Sequence, residues 1–476
     1  MSLPTGTIVR LAPGVLVRDG GRTLVGGAPP RVSHLGERAG RLLGRGVLRT
    51  DEGIEGALAE RLVGSGMAVP VGGSLPEVPF DQVTCVVPVR DRPFGLDRLL
   101  RGLDGALRVV VVDDGSLDPR ATSAVAARHG AEVLLLPENR GPAAARNAGI
   151  AAVATPFVLL VDSDVVLDPD DVSALARHLG DPAVALVAPR VLGLGGGDGW
   201  LDHYEEVRSS LDLGPRSALV RPRSAVAWVP AAALLGRVEA LAGGFDVALR
   251  SGEDVDLVWR LCADGWRVRY EADVVVRHEN RTRVRAWLGR KAFYGSSAEP
   301  LARRHGRTVA PAVLTPLGVV VTLAVLVQRR WSLPVAVAAS GVTATRLSRR
   351  LERSGRPAAL AAELTGQGVV AALDQTSGLL LRHWWPASLV ACLVSSRARR
   401  AVAVAVVADV VAEHVRERDR VRRRGYWLAR RLDDLAYGWG VWAGAVRAGS
   451  AGALVPDVRW RRPPDRTSTA RVTGTE

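Results

Sequence analysis

Hydrophobic residues change their rhythm along the chain. From Gln82 onward, short apolar runs at 83–87, 109–112, 132–136 and 157–161 alternate with stretches of helical spacing around 94–103, 119–129 and 143–153. The runs are almost uniformly apolar rather than alternating, the pattern of parallel strands covered on both faces. Such repeating strand–helix units predict an open, doubly wound α/β sheet with ligands at the carboxyl ends of its strands. Residues 1–78 read differently. Strand-like runs at 7–11, 15–18 and 23–25 are separated by Asp19-Gly20-Gly21 and closed by Gly26-Gly27. Helical patterns follow at 36–43 and 55–64, joined by the polar turn Thr50-Asp51-Glu52-Gly53. A unit of this size buries little by itself, so it reads as an accessory module. The Pro/Gly-rich stretch 69–79 links it to the α/β part.

Past about residue 286 the pattern is helical and irregular. Residues 309–327 are almost free of charge and about as long as one membrane span. Arg303, Arg304 and Arg307 precede them, Arg329 and Arg330 follow, and Trp331, Trp384 and Trp385 suit a lipid interface. The same residues equally fit an Ala/Val-rich helical bundle broken by proline. Three regions are therefore expected, at 1–78, 79–285 and 286–476.

Composition adds constraints. A chain of 476 residues exceeds one compact domain, and 47% hydrophobic with 24% charged residues is globular composition. The net charge of +14 is carried by arginine, because Lys291 is the sole lysine. A basic chain attracts nucleic acid, membrane surfaces or phosphorylated substrates. The arginines are dispersed and no helix-turn-helix reader is evident, which sets nucleic acid aside. Cys85, Cys262 and Cys392 lie far apart and make no disulfide framework. The first 18 residues show no signal peptide, so a cytoplasmic location is expected, associated with the inner face of the membrane if the third region meets lipid.

Four acidic or histidine clusters fall where the strand pattern places ligand-facing loops. Asp113-Asp114-Gly115-Ser116 follows the run at 109–112. A carboxylate there can accept the imide N–H of a uracil ring, and the same residues also make a simple Asp-Gly turn. Asp162-Ser163-Asp164 follows the run at 157–161; two carboxylates one residue apart can share a divalent cation that bridges a diphosphate. Ser251-Gly252-Glu253-Asp254 opens an amphipathic helix. Either Ser251 is an N-cap with Asp254 at the capping-box position, or Asp254 is a general base with Glu253 steadying it or the acceptor. His278, after residues 273–276, can complete a metal site or serve structure alone. Between the first two clusters, Asn139-Arg140-Gly141-Pro142 leads into a helix bearing Arg146 and Asn147, whose amino end and Arg146 can face a diphosphate or ribose, unless Arg146 is a surface charge.

The order of these segments carries more than any one of them. A strand with Pro88-Val89 is followed by Val-Asp-Asp-Gly-Ser, Asn-Arg-Gly with Ala-Arg-Asn, Asp-Ser-Asp, Gly243-Gly244-Phe245-Asp246 and Gly252-Glu253-Asp254. This series resembles the family-two glycosyltransferases over about two hundred residues. The resemblance implies a GT-A-type mixed sheet, a UDP- or GDP-sugar donor, Mg²⁺ or Mn²⁺, and inversion at the anomeric carbon. It assigns Asp114 with Asp113 to the uracil, Asp162 and Asp164 to metal and diphosphate, Asp254 to the base, and 243–246 to the acceptor side. Processive members carry Gln-x-x-Arg-Trp after the base; here Arg285-Ala286-Trp287 is a partial echo only. The whole layout, a winged-helix-like and possible peptide-binding module followed by a transferase and an Ala/Val/Arg-rich helical tail, resembles the mycofactocin-system glycosyltransferases. That implies β-1,4-linked glucosylation of a peptide-derived redox cofactor from UDP-glucose. Two rivals stand beside it: transfer to a polyprenyl phosphate or cell-envelope glycan, and a non-catalytic peptide-binding scaffold.

Overall fold

The computed structural model describes residues 3–459 apart from 45, 52, 196, 198, 281–282 and 417–424. Glu52 of the expected turn and the tail 460–476 lie outside the described residues. The amino-terminal part runs β1 (Ile8–Leu11), β2 (Leu16–Arg18), β3 (Thr23–Gly26), β4 (Arg31–His34), α1 (Glu37–Leu43), β5 (Val47–Arg49), α2 (Ile54–Gly64) and β6 (Ala68–Pro70). It forms two three-stranded antiparallel sheets, β5-β1-β6 and β2-β3-β4. Leu24, Leu48, Leu62 and Met67 fill its small core. Strands β4, β5 and β6 have no sequence signal, since each is three or four residues long and Pro70 ends the last.

The central part continues β7 (Val83–Val89), α3 (Pro93–Leu103), β8 (Arg108–Asp114), α4 (Pro119–Arg128), β9 (Glu132–Leu136), α5 (Pro142–Ala151) and β10 (Phe157–Val161). Then come β11 (Val165–Val166), α6 (Pro169–Ala176), β12 (Val184–Gly193), α7 (Trp200–Arg208), β13 (Ala218–Val220), β14 (Ala233–Arg237), α8 (Glu253–Ala263) and β15 (Arg267–His278). Pro93, Pro119, Pro142 and Pro169 each open a helix, where the missing N–H costs nothing and the fixed φ helps. Asp168 adds a capping box with Asp171. The sheet order is β11-β15-β12-β14-β10-β7-β8-β9, with β13 on β15. Strands β10, β7, β8 and β9 are parallel, whereas β14 runs antiparallel between β10 and β12. The sheet is thus mixed, and α/β in the expected sense. Successive residues of β7 and β10 point to opposite faces. Cys85, Val87, Leu159 and Val161 enter a core with α3 and α6, while Val86, Val158 and Leu160 enter one with α5 and α8. Full burial of each such side chain contributes about 1.5–3 kcal/mol.

The carboxyl-terminal part holds α9 (Val284–Ser296), α10 (Ala298–His305), β16 (Val313–Leu314), α11 (Pro316–Val327), α12 (Ser332–Arg350) and α13 (Pro357–Gly378). It ends with α14 (Trp385–Val394), α15 (Ser396–Arg416), α16 (Tyr426–Ala448) and β17 (Asp457–Val458). The apolar stretch 309–327 is not one helix. Its first residues close a 3-10 turn, Val313–Leu314 pair with β17, and the Thr315 side chain caps α11 at Pro316. No helix among the described residues is long and apolar enough to cross a membrane. The proline-broken bundle is the arrangement found.

Helices α9 and α16 approach through glycines. A Cβ added at Gly440 would lie 1.9 Å from the Ala292 carbonyl oxygen, and one at Gly295 would lie 2.1 Å from that of Tyr437. Gly440→Val is therefore expected to destabilise the chain by about 1–3 kcal/mol. Gly366→Ala, where an added methyl meets nothing, is expected to be neutral or slightly stabilising. Urea midpoints of the two variants check this.

Candidate active site

The carboxyl ends of β7, β8 and β10 open into a cleft of about 1240 Å³ whose far wall comes from α9, α10 and α16. Pro88 lines it at the end of β7, in register with Val112 of β8. Asp113 and Asp114 end β8. Asp114 reaches the cleft, and its two oxygens accept the backbone N–H groups of Arg140 (2.7 Å) and Gly141 (2.9 Å). Asp113 lies deeper. One oxygen accepts the Ser116 N–H at 2.7 Å, and the other has no partner among the described residues. Gly115 has φ +67°, and a Cβ there would sit 2.5 Å from the Asn139 nitrogen, so this turn admits glycine alone.

Held by Asp114, residues 139–141 deliver the amino end of α5 to the cleft, with Arg146 one turn in. Arg146 is buried. Its Nη2 donates to Asp162 Oδ1 at 2.6 Å, its Nη1 to Glu253 Oε1 at 3.2 Å, and its guanidinium lies 5.4 Å from the Phe245 ring centroid. Burial opposes the charge, but Asp162 and Glu253 outweigh it and raise the guanidinium's pKa.

Asp162 and Asp164 flank the turn after β10. Strand β11 folds back antiparallel onto the end of β15, setting Val165 opposite His278. That pairing brings His278 Nε2 to 3.3 Å from Asp164 Oδ1, while Arg92 Nη1 donates to Asp164 Oδ2 at 2.8 Å. Burial works against the Asp164 carboxylate, yet the hydrogen bond and charge of His278 with Arg92 hold it down to about 2. Asp162 is shifted upward by burial, which exceeds the pull of Arg146, with the like charge of Asp164 adding to it. Among the described residues, no three His, Cys, Asp or Glu side chains converge as a metal ion alone would demand. The donor chemistry still fits a hard divalent cation. Two carboxylates flank the turn, the imidazole of His278 meets one of them from the end of β15, and its buried Nδ1 has no partner among the described residues.

Glu253 and Asp254 open α8. The N-cap is Gly252 at φ +80°, with no side-chain hydrogen bond, so the Ser251 capping box does not form. A Cβ at Gly252 would approach Leu301 within 2.9 Å, so glycine lets the helix start press on α10. The Asp254 oxygens accept backbone N–H groups, from Ala231 at 3.3 Å and Val255 at 2.8 Å. Burial and then the charge of Glu253 push its carboxyl up to about 7, Arg146 only partly offsetting them.

Gly243, Gly244, Phe245 and Asp246, expected to shape the acceptor side, stand one layer behind the wall. Val247, Leu249 and Arg250 line it instead. Asn147 clamps that loop, accepting the Phe245 N–H and donating to its carbonyl, both at 2.8 Å, and Asp246 pairs with Arg304 of α10. No motif in the sequence points to Arg92, Arg304 or the far wall, where Trp287, Arg290, Phe293, Tyr294, His383 and Tyr437 face the cleft. One signal was available. Lys291, alone of its type, is buried among Ser210 (2.7 Å), Glu205 (2.9 Å) and Asp433 (3.0 Å), joining α7, α9 and α16. Three acceptors around one point suit an ammonium better than a planar guanidinium.

A mixed sheet of this order, with acidic turns at its carboxyl ends facing one cleft, is a GT-A-type glycosyltransferase fold. The glycosyl transferase family 2 model matches residues 84–235. A pre-mycofactocin glycosyltransferase of Mycobacterium tuberculosis is 41% identical, over 96% of this chain and 99% of its own. An N-acetylglucosaminyltransferase of Rhizobium meliloti is 32% identical over 36% of this chain and 43% of its own. A solved mannosyltransferase of Pyrobaculum calidifontis, in complex with GDP-mannose and Mn²⁺, is 19% identical with a TM-score of 0.36, covering 63% of this chain and 90% of its own. The chain belongs to the mycofactocin-system glycosyltransferases of family 2.

Two outcomes follow from the site. Arg146→Met would leave Asp162 and Glu253 without their shared cation, at an expected cost of about 3–5 kcal/mol read by denaturant titration. With Asp254 titrating near pH 7, kcat/KM for glycosyl transfer is expected to fall about tenfold per pH unit below that point and to level off above it. A flat profile from pH 5 to 8, measured by nucleotide release, would contradict the assignment of proton transfer to Asp254.

Proposed function

We propose that the chain transfers glucose from UDP-glucose, with inversion, to a hydroxyl of a peptide-derived pre-mycofactocin acceptor, extending a β-1,4-linked chain. One observation carries the chemistry. Asp254 presents to the cleft a carboxylate that, among the described residues, is hydrogen-bonded by backbone N–H groups alone and is poised near neutrality, on the same cavity as Asp162 and Asp164. The nearly full-length likeness to a pre-mycofactocin glycosyltransferase supports the acceptor.

Residues at the cleft divide the work. Asp114, which reaches the cleft at the end of β8 with Asp113 behind it, would accept the imide N–H of a uracil ring, and its bonds to Arg140 and Gly141 set the neighbouring loop. The amino end of α5 favours the anionic diphosphate. Asp162, Asp164 and His278 would hold Mg²⁺ or Mn²⁺, which when bound supplies charge neutralisation on the leaving diphosphate. Glu253, fixed by Arg146, sets the start of α8 and the charge that raises Asp254. The acceptor oxygen attacks the anomeric carbon as the bond to the diphosphate breaks on the opposite side, and Asp254 takes the hydroxyl proton.

Asp254→Asn is expected to lower kcat by at least about 100-fold while UDP-sugar binding persists. Mass spectrometry of a mycofactocin-type acceptor incubated with UDP-glucose and Mn²⁺ tests the whole reading. Successive hexose additions, absent with Asp254→Asn, are expected. UDP release without hexose on that acceptor would overturn the acceptor and keep the transferase.

A further inference from the structure

The carboxyl-terminal bundle leaves one corner both apolar and basic. Two helix junctions meet there, residues 328–331 between α11 and α12, and residues 395–400 at the start of α15. Gln328 ties them: its Nε2 donates to the Arg397 carbonyl at 3.2 Å, and its Oε1 accepts from Arg400 Nε at 2.9 Å. Trp331, Leu333, Leu393 and Val394 are 53, 72, 75 and 84% exposed, and α14 buries none of its residues. Arg329, Arg330, Arg397, Arg399 and Arg400 are exposed at the same two junctions. Neither 328–351 nor 375–408 contains an aspartate or glutamate.

Large aliphatic tips and a tryptophan left in water at one place mark a contact surface. Its partner must meet five cations and the apolar tips together. Nucleic acid would meet the arginines and leave Leu333, Leu393 and Val394 in water. A second copy would bring like charges face to face. Anionic phospholipid meets both demands, with phosphates at the arginines, Trp331 at the headgroup level and the aliphatic tips among the acyl chains. We infer that this corner docks the chain on an anionic phospholipid surface, lying on the bilayer without crossing it. The inference stands independently of donor and acceptor.

Flotation of the full chain with vesicles of phosphatidylcholine plus phosphatidylglycerol tests it. The chain is expected to float with these vesicles, to be released by salt, and to stay behind with phosphatidylcholine alone. Changing the five arginines to glutamine is expected to weaken binding by at least about 100-fold. Leu393→Asp with Val394→Asp is expected to weaken it by at least about tenfold, with the melting temperature unchanged. Should a combined variant fail to fold, Trp331→Ser alone carries the test, with a several-fold loss expected. A wild-type chain that does not float, or binding that these changes leave alone, overturns the proposal. So does a dimer by light scattering that Leu393→Asp dissociates, or binding to duplex DNA, in place of flotation.

Discussion

The guanidinium of Arg146 is almost fully buried, and a buried cation persists only where carboxylates are held against it. Asp162 comes from the end of β10 and Glu253 from the start of α8, 91 positions apart, and the one side chain fixes both. The acidic turn and the helix carrying Asp254 are thereby locked to α5, whose own amino end is set by Asp114. Three loops at the sheet's edge share one electrostatic frame. Phe245 closes it from behind, and Asn147 holds Phe245 by both backbone polar groups.

Much of this was legible because the catalytic part obeys local rules. Uniform apolar runs marked β7, β8 and β10, Pro142 marked the start of α5, and each acidic pair stood where a strand had to stop. The antiparallel insertion of β14 between β10 and β12 was not legible, since a five-residue apolar strand looks the same in either direction. The bonds of Asp114 to the next loop were hidden for another reason. A carboxylate that holds a neighbouring loop leaves no sequence signature of its own, because Arg140 and Gly141 stand more than twenty-five positions away. The far wall was invisible because its contacts join residues more than eighty positions apart, as Lys291 does with Glu205 and Asp433.

That far wall changes how the third region is understood. Its apolar composition invited a membrane span, yet Thr315 and Pro316 start a twelve-residue helix, and glycines 295 and 440 draw α9 and α16 into backbone contact. The buried charges of Lys291, Asp433 and Asp434, with the partly buried Arg382, then make the bundle an extension of the transferase. Breaking one member would strand the others in a low-dielectric interior, so the network ties the cleft's shape to the bundle's integrity.

Within the cleft the same two physical ingredients, burial and neighbouring charge, produce opposite results at two aspartates. Asp164 meets His278 and Arg92, whose attraction overcomes burial and keeps it ionised down to about pH 2. Asp254 meets Glu253, whose repulsion adds to burial and leaves the carboxyl titrating near neutrality. A carboxylate that stays charged suits binding of a cation. One that exchanges a proton near pH 7 suits taking it from a hydroxyl. Arg146 links the two neighbourhoods, binding Glu253 beside Asp254 on one side and Asp162 on the other. The opposite shifts of Asp164 and Asp254 therefore rest on which neighbour each aspartate was given, and that neighbour is set by the sheet order and the glycine-started helix α8.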